Sequence, residues 1–240
     1  MEHKIEISFL RKRFEEVNNY YGKNQGIPPY QSIIRIEERL KNGQGTYEFN
    51  LRKEELRPWE SNLLRNDLFV VTHLGIMLSI QDPAKPGTDS LLSYALTNSA
   101  DNSPVFATKD INALYNGFLS VETGTVVNMS NFPLGLFKHI PMVQPSILAL
   151  DDGEGNTTGN LNQPAFEFLN MLHPMAERLT LTGTQDHRIR ITFPTFPAAD
   201  YSAGENIETK VVFIALGYRV PGGTAQKFKD DTNNPFAAAI

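Results

Sequence analysis

The chain has 240 residues, a formal net charge of −5 at neutral pH and no cysteine. A chain of this length can bury a substantial core, as one large β domain or two small ones. Without cysteine, disulfide frameworks, thiolate metal sites and cysteine nucleophiles are excluded. Because the charge is mildly negative and both signs are interspersed, we expect no extensive phosphate contacts and no sequence-specific nucleic-acid partner.

The first predicted element is a helix over residues 4–21. Apolar residues recur there at helical spacing, and a basic cluster lies beside them. Gly26 to Tyr30 follows, and its paired prolines end the helix. We interpret residues 1–28 as a helical arm with a Pro-Pro hinge that directs it toward a neighbouring subunit or a lipid surface. The candidate assembly residues of the arm are Phe9, Leu10, Arg11, Lys12, Arg13 and Phe14. On the alternative interpretation, the basic residues form only a solvated helix face.

After the arm, the pattern changes to the alternation that is typical of strands. Two alternating runs flank Asn42-Gly43, a pair that favours a tight hairpin turn. A second hairpin is predicted at Gly183. Further strands are predicted at residues 118–121 and 126–129, joined by a turn that contains a glycine.

Two long apolar runs, residues 68–80 and 211–216, predict buried strands, and the second is expected to be covered on both faces. Ten or more short strands without crossover helices favour an antiparallel jelly roll or β-sandwich over a parallel α/β sheet. We predict one β domain over residues 29–226 and a C-terminal tail over 227–240, with two compact jelly rolls in tandem as the alternative. The predicted core consists of Phe69, Val71, Ile76, Leu78, Ile189, Ile191, Val212, Ile214 and Leu216.

The sequence contains no recognisable catalytic or cofactor-binding motif. Phosphate-binding glycine loops and the Gly-x-Ser-x-Gly elbow are absent. Asp151 to Asn156 clusters oxygen ligands, but it lacks EF-hand spacing and is interpreted as an acidic turn rather than a calcium site. The five histidines show no metal-ligand spacing, and His73 is expected to be a hydrogen-bonded core residue. We therefore predict no enzyme activity, no cofactor and no metal.

Two other classes of function stay open. A cupin-like metal-dependent enzyme would gather histidines from distant strands inside its barrel. A carbohydrate-binding lectin or adhesin-type β-sandwich would present Trp59 or tyrosines as flat platforms along a groove.

The order of features resembles viral jelly-roll capsid proteins: an arm with Phe9 and Phe14, the Pro28-Pro29 hinge, a β core with long loops, and an extended tail. The resemblance is architectural, covers most of the chain and transfers no motif residue. It implies a self-assembling structural subunit of a virion, a trimer or other homo-oligomer in an icosahedral shell, without catalysis or cofactor. Copies of itself and other virion proteins are the implied partners, and a lipid membrane is a further candidate through the arm. Because the N-terminus lacks the pattern of a secretory signal, we expect synthesis in the host cytoplasm and location in the virion.

Overall fold

A computed structural model describes residues 2–81, 83–84, 90–93, 109–139, 143–144, 149–151, 157–160, 163–164, 172–202, 207–225, 233 and 235–236. Its helical elements are α1 (Glu2–Val17), a π-helical turn (Asn18–Lys23) and two 3-10 helices (Lys109–Asn116 and Leu134–Phe137). The strands are β1 (Tyr30–Arg39), β2 (Thr46–Phe49), β3 (Leu68–Gln81), β4 (Ser90–Leu92), β5 (Phe118–Thr123), β6 (Val126–Pro133), β7 (Val143–Gln144), β8 (Ala149–Asp151), β9 (Thr157–Asn160), β10 (Gln163–Pro164), β11 (His173–Thr182), β12 (His187–Thr192) and β13 (Glu208–Val220).

Two antiparallel sheets form most of the described structure. Sheet A has the strand order β1-β13-β3-β11, and the short β4 pairs with β3. Sheet B has the order β2-β12-β5-β6. Strands β7 and β10, and strands β8 and β9, form two separate two-stranded ribbons. The predictions of a mainly β, antiparallel protein and of a helix at the N-terminus are confirmed.

Both predicted hairpins are wrong, because the strands that flank each turn enter different sheets. Gly43 has a φ of 74° and the chain reverses there, yet β1 pairs with β13 and β2 pairs with β12. Gly183 separates β11 in sheet A from β12 in sheet B. A hairpin does form between β5 and β6, around Gly124 with a φ of 57°. Turn residues decide where a chain reverses, but not which strand it then pairs with.

The main core lies between the two sheets and takes side chains from both of them. Phe69 and Phe213 of sheet A and Ile189 and Ile191 of sheet B belong to this one cluster. All nine predicted core residues are buried. However, Val212, Ile214 and Leu216 lie on the opposite, outer face of sheet A, in a cluster with Met77 and Leu172. Strand β13 is therefore buried on both faces, as predicted.

Candidate functional site

The N-terminal arm packs on the outer face of sheet A of its own chain. Val17 and Tyr21 are fully buried there, and Pro29 in the hinge is also buried. The hinge therefore does not prevent the arm from folding back onto its own domain, whereas a neighbouring subunit or a lipid surface as a further partner of the arm stays a prediction. Val17, Tyr20 and Tyr21 of the arm pack in one apolar cluster with five residues of the rest of the chain, which we call the arm seat: Leu68, Val70, Tyr218, Val220 and Phe236.

Tyr218 of β13 fixes the middle of the helix to the sheet. Its hydroxyl donates a hydrogen bond to the carbonyl oxygen of Leu10 at 3.0 Å, and its ring centroid lies 5.3 Å from that of Phe14. Phe9 makes an edge contact with the ring of His73 at 6.3 Å. Phe9, Leu10 and Phe14 are partly buried. The apolar half of the predicted assembly residues thus contacts the chain's own sheet.

The three basic residues of the predicted set, Arg11, Lys12 and Arg13, differ in burial. Arg13 is buried, and its guanidinium donates to the carbonyl oxygen of Ala176 at 3.3 Å and pairs with Glu16 at 3.2 Å. Arg11 and Lys12 are exposed, which agrees with a solvated helix face for these two residues. Arg13 instead ties the helix to β11.

The C-terminal segment meets the arm at the same place. Phe236 is only 1% exposed, and its ring centroid lies 5.6 Å from that of Tyr21. Arg178 of β11 lies 5.4 Å over the Phe236 ring, donates to the carbonyl oxygen of Pro235 at 3.3 Å and pairs with Glu16 at 3.4 Å. We call the contact of Glu16, Arg178 and Phe236 the terminal clamp, because it joins both ends of the described chain to one strand.

A buried polar group occupies another part of the outer face of sheet A. Lys210 of β13 is fully buried; its Nζ lies 3.5 Å from Glu37 Oε2 and donates a hydrogen bond to Gln81 Oε1. Arg57, in the connection between β2 and β3, donates to Gln81 Oε1 at 3.3 Å and to Glu37 Oε2 at 3.4 Å. The ring of Trp59 lies above, with its centroid 6.0 Å from Nζ. We call Glu37, Arg57, Gln81 and Lys210 the Lys210 cluster.

Glu60 holds the covering connection in place. Its carboxylate accepts hydrogen bonds from the backbone N–H groups of Glu37 and Arg57, both at 2.9 Å, and from Lys53 Nζ at 2.9 Å. Burial by itself raises the pKa of Glu60, but these hydrogen bonds and the Lys53 charge together lower it below the ordinary value. The connection is therefore anchored over the Lys210 cluster and shields it from water.

The histidines lie in different surroundings. His73 is buried with Nδ1 3.1 Å from Thr72 Oγ1, which confirms it as a hydrogen-bonded buried residue. His173 contacts the Phe132 ring at 5.3 Å, and His187 Nδ1 lies 3.0 Å from an oxygen of Thr123. Within the described ranges, no group of three or more histidine, aspartate or glutamate residues has the arrangement of a metal site. Most of the predicted acidic turn at 151–156 lies outside the described residues.

None of the helices in the described part of the chain combines the length and apolarity needed to cross a lipid bilayer. No protein-family model matches the chain, and searches of curated proteins and solved structures gave no significant match.

Proposed function

We propose that this chain is a structural subunit of a virion, a jelly-roll capsid protein that assembles with copies of itself into an icosahedral shell. The order of the main strands carries the proposal. When β4 and the two small ribbons are set aside, the strands of sheets A and B form a series of eight. In that series the first pairs with the last, the second with the seventh, the third with the sixth and the fourth with the fifth. A long antiparallel ribbon that is folded at its middle and rolled up produces this order, which is typical of a jelly roll.

Jelly rolls occur in capsid proteins, lectins and cupins, so a jelly roll alone would leave a choice between these classes. Trp59 is half-buried above Lys210 rather than open along a groove. His73 and His173 lie on neighbouring strands, but His73 contacts Phe9 of the arm and His173 contacts Phe132 of sheet B, so their rings face opposite sides of sheet A. Neither alternative class therefore has a supporting observation in the described part of the chain. The docked arm is an observation that supports the capsid class, because neighbouring copies of the chain can exchange such a terminal segment.

Exchange of the arm requires no new contacts. Each copy carries the same arm seat, so an arm that leaves its own sheet finds identical partners on a neighbour. Arg11 and Lys12 lie on the solvent side of the docked helix, where they would meet another subunit, another virion protein or an anionic lipid surface. A trimer or other closed homo-oligomer is the expected building block of the shell.

Light scattering and electron microscopy of the purified chain, over a range of concentration and salt, test the proposal. We expect association that depends on concentration and, at high concentration, closed shells. A chain that stays monomeric under all these conditions contradicts the proposal.

A variant without residues 1–24 tests the part played by the arm. It should keep the β-sheet circular dichroism spectrum and lose assembly, whereas Asn19→Ala, on an exposed position of the arm, should assemble as the parent chain does. Normal assembly of the truncated chain would exclude the arm from the interface.

A further inference from the structure

We propose that Lys210 and Gln81 become joined by an intramolecular isopeptide bond, which forms in the folded chain without any other enzyme. The two residues lie on adjacent antiparallel strands: Lys210 is opposite Ser79, and Gln81 is opposite Glu208. They are therefore diagonal neighbours on one face of the sheet, within reach of long side chains. The hydrogen bond from Lys210 Nζ to Gln81 Oε1 places the amine beside the carboxamide.

Each role that amide exchange needs is filled by a residue in contact with these two. The Lys210 amine is the nucleophile and the Gln81 carboxamide carbon is the electrophile. Glu37, whose side chain is 1% exposed, lies 3.5 Å from Nζ and can accept its proton. Arg57 donates to Gln81 Oε1 at 3.3 Å, where negative charge develops during the attack.

Burial protects the reacting groups from competing hydrolysis. The side chains of Lys210 and Glu37 are each only 1% exposed, so the reacting groups are held away from bulk water. Trp59 and the connection anchored by Glu60 cover the amine, which limits access of water. Because both groups are held by the same sheet, little further ordering is needed before attack.

The reaction balances without any outside reactant. A proton passes from the Lys210 ammonium to the Glu37 carboxylate, and the neutral amine attacks Gln81 Cδ, forming a new C–N bond as the carbonyl electron pair moves to Oε1. Glu37 delivers its proton to Gln81 Nε2 and takes one from the attacking nitrogen. The bond from Cδ to Nε2 then breaks, the carbonyl re-forms and ammonia leaves. The product is an amide that links β3 to β13.

Intact-mass spectrometry of the purified full chain tests the proposal. We expect a mass below that of the sequence by one molecule of ammonia. After denaturation and tryptic digestion, cleavage after Lys210 should be lost, and the fragment that contains Gln81 should remain joined to the one that contains Lys210. A chain at its full sequence mass, with the two fragments separate, overturns the proposal.

Variants separate the roles of the residues. Lys210→Arg and Gln81→Leu remove the nucleophile and the electrophile, and each should have its full sequence mass. Glu37→Gln, once circular dichroism shows that it is folded, should also have its full sequence mass. If the isopeptide bond still forms in this variant, the role of Glu37 is overturned. Lys41→Arg is the matched control, since Lys41 is exposed and lies outside the Lys210 cluster, and it should still lose ammonia; a control at full mass counts against Lys210 as the linked residue. Assembly is measured separately by scattering, so this inference and the capsid proposal fail independently.

Discussion

Replacing Tyr21 by alanine should release the arm from sheet A. Tyr21 is fully buried, and its ring contacts those of Tyr20 at 4.8 Å and Phe236 at 5.6 Å. The substitution therefore weakens both the docking of the helix and the terminal clamp. The strands of both sheets should keep their pairing, because Tyr21 is not part of the core between the sheets.

The size of the effect follows from the burial of the ring. Truncating a buried aromatic side chain to alanine typically costs about 3 to 5 kcal/mol. The equilibrium constant for local opening of the arm then rises by roughly two orders of magnitude or more, since about 1.4 kcal/mol corresponds to a factor of ten. Once the arm is mainly undocked, weakening its contacts further no longer lowers the free energy of unfolding of the sheets. The thermal midpoint of Tyr21→Ala should therefore fall less than the midpoint of a variant truncated in the core between the sheets.

Limited proteolysis with trypsin measures this opening. Arg13 is buried in the docked arm, so cleavage there reports the undocked population. We expect cleavage after Arg13 to accelerate at least tenfold in Tyr21→Ala and to stay unchanged in Tyr30→Ala, a control at a residue that is 49% exposed. Equal cleavage rates in Tyr21→Ala and the parent chain would refute the intramolecular docking.

Three further predictions concern stability. Ile214→Ala should lower the unfolding free energy by about 2 to 5 kcal/mol, or the midpoint by about 4 to 10 °C for a chain of this size, whereas Val127→Ala, at a 59% exposed position, should change little; equal midpoints would count against the outer-face cluster. Because the pKa of Glu60 is lowered in the folded state, its contribution is present above the ordinary carboxylate pKa of about 4.3 and is lost as pH falls through the folded value. Denaturant titrations from about pH 6 to pH 3 should therefore show a steeper loss for the parent chain than for Glu60→Gln, and parallel curves would contradict this. Arg178→Ala should speed trypsin cleavage in the arm by up to about tenfold, since exposed ion pairs and cation–π contacts are each weak, while Arg188→Ala, which removes ion pairs on sheet B, should leave that rate unchanged.

The sequence predicted most strands and the buried residues, because alternation and long apolar runs depend only on burial. The sequence did not predict which strands pair with each other. Leu179 and Leu181 alternate as Ile189 and Ile191 do, and both pairs belong to the same core, but they reach it from opposite sheets. A local pattern cannot distinguish two strands that face each other from two strands that are hydrogen-bonded to each other.

The surfaces that matter for function were harder to predict. The helix and its apolar stripe were evident, but its seat combines residues that are distant in sequence, such as Val70, Tyr218 and Phe236. The Lys210 cluster gave only a faint signal, a lysine two positions before Val212 and four before Ile214, on the same face of one strand. Its partners Glu37, Arg57 and Gln81 come from three separate segments, and only the fold brings them together.

The pairing of β1 with β13 has a consequence for the kinetics of folding. Tyr30 is hydrogen-bonded in register with Arg219, and β13 also lies between β1 and β3. During synthesis β1 therefore cannot pair with β13 until almost all of the described chain has emerged from the ribosome. Contacts between such distant segments require closure of large loops before they stabilise anything, so slow folding is expected. Until β13 arrives, the apolar edges of β1 and β3 are exposed, and that interval is when the nascent chain is most prone to aggregate or to depend on a chaperone.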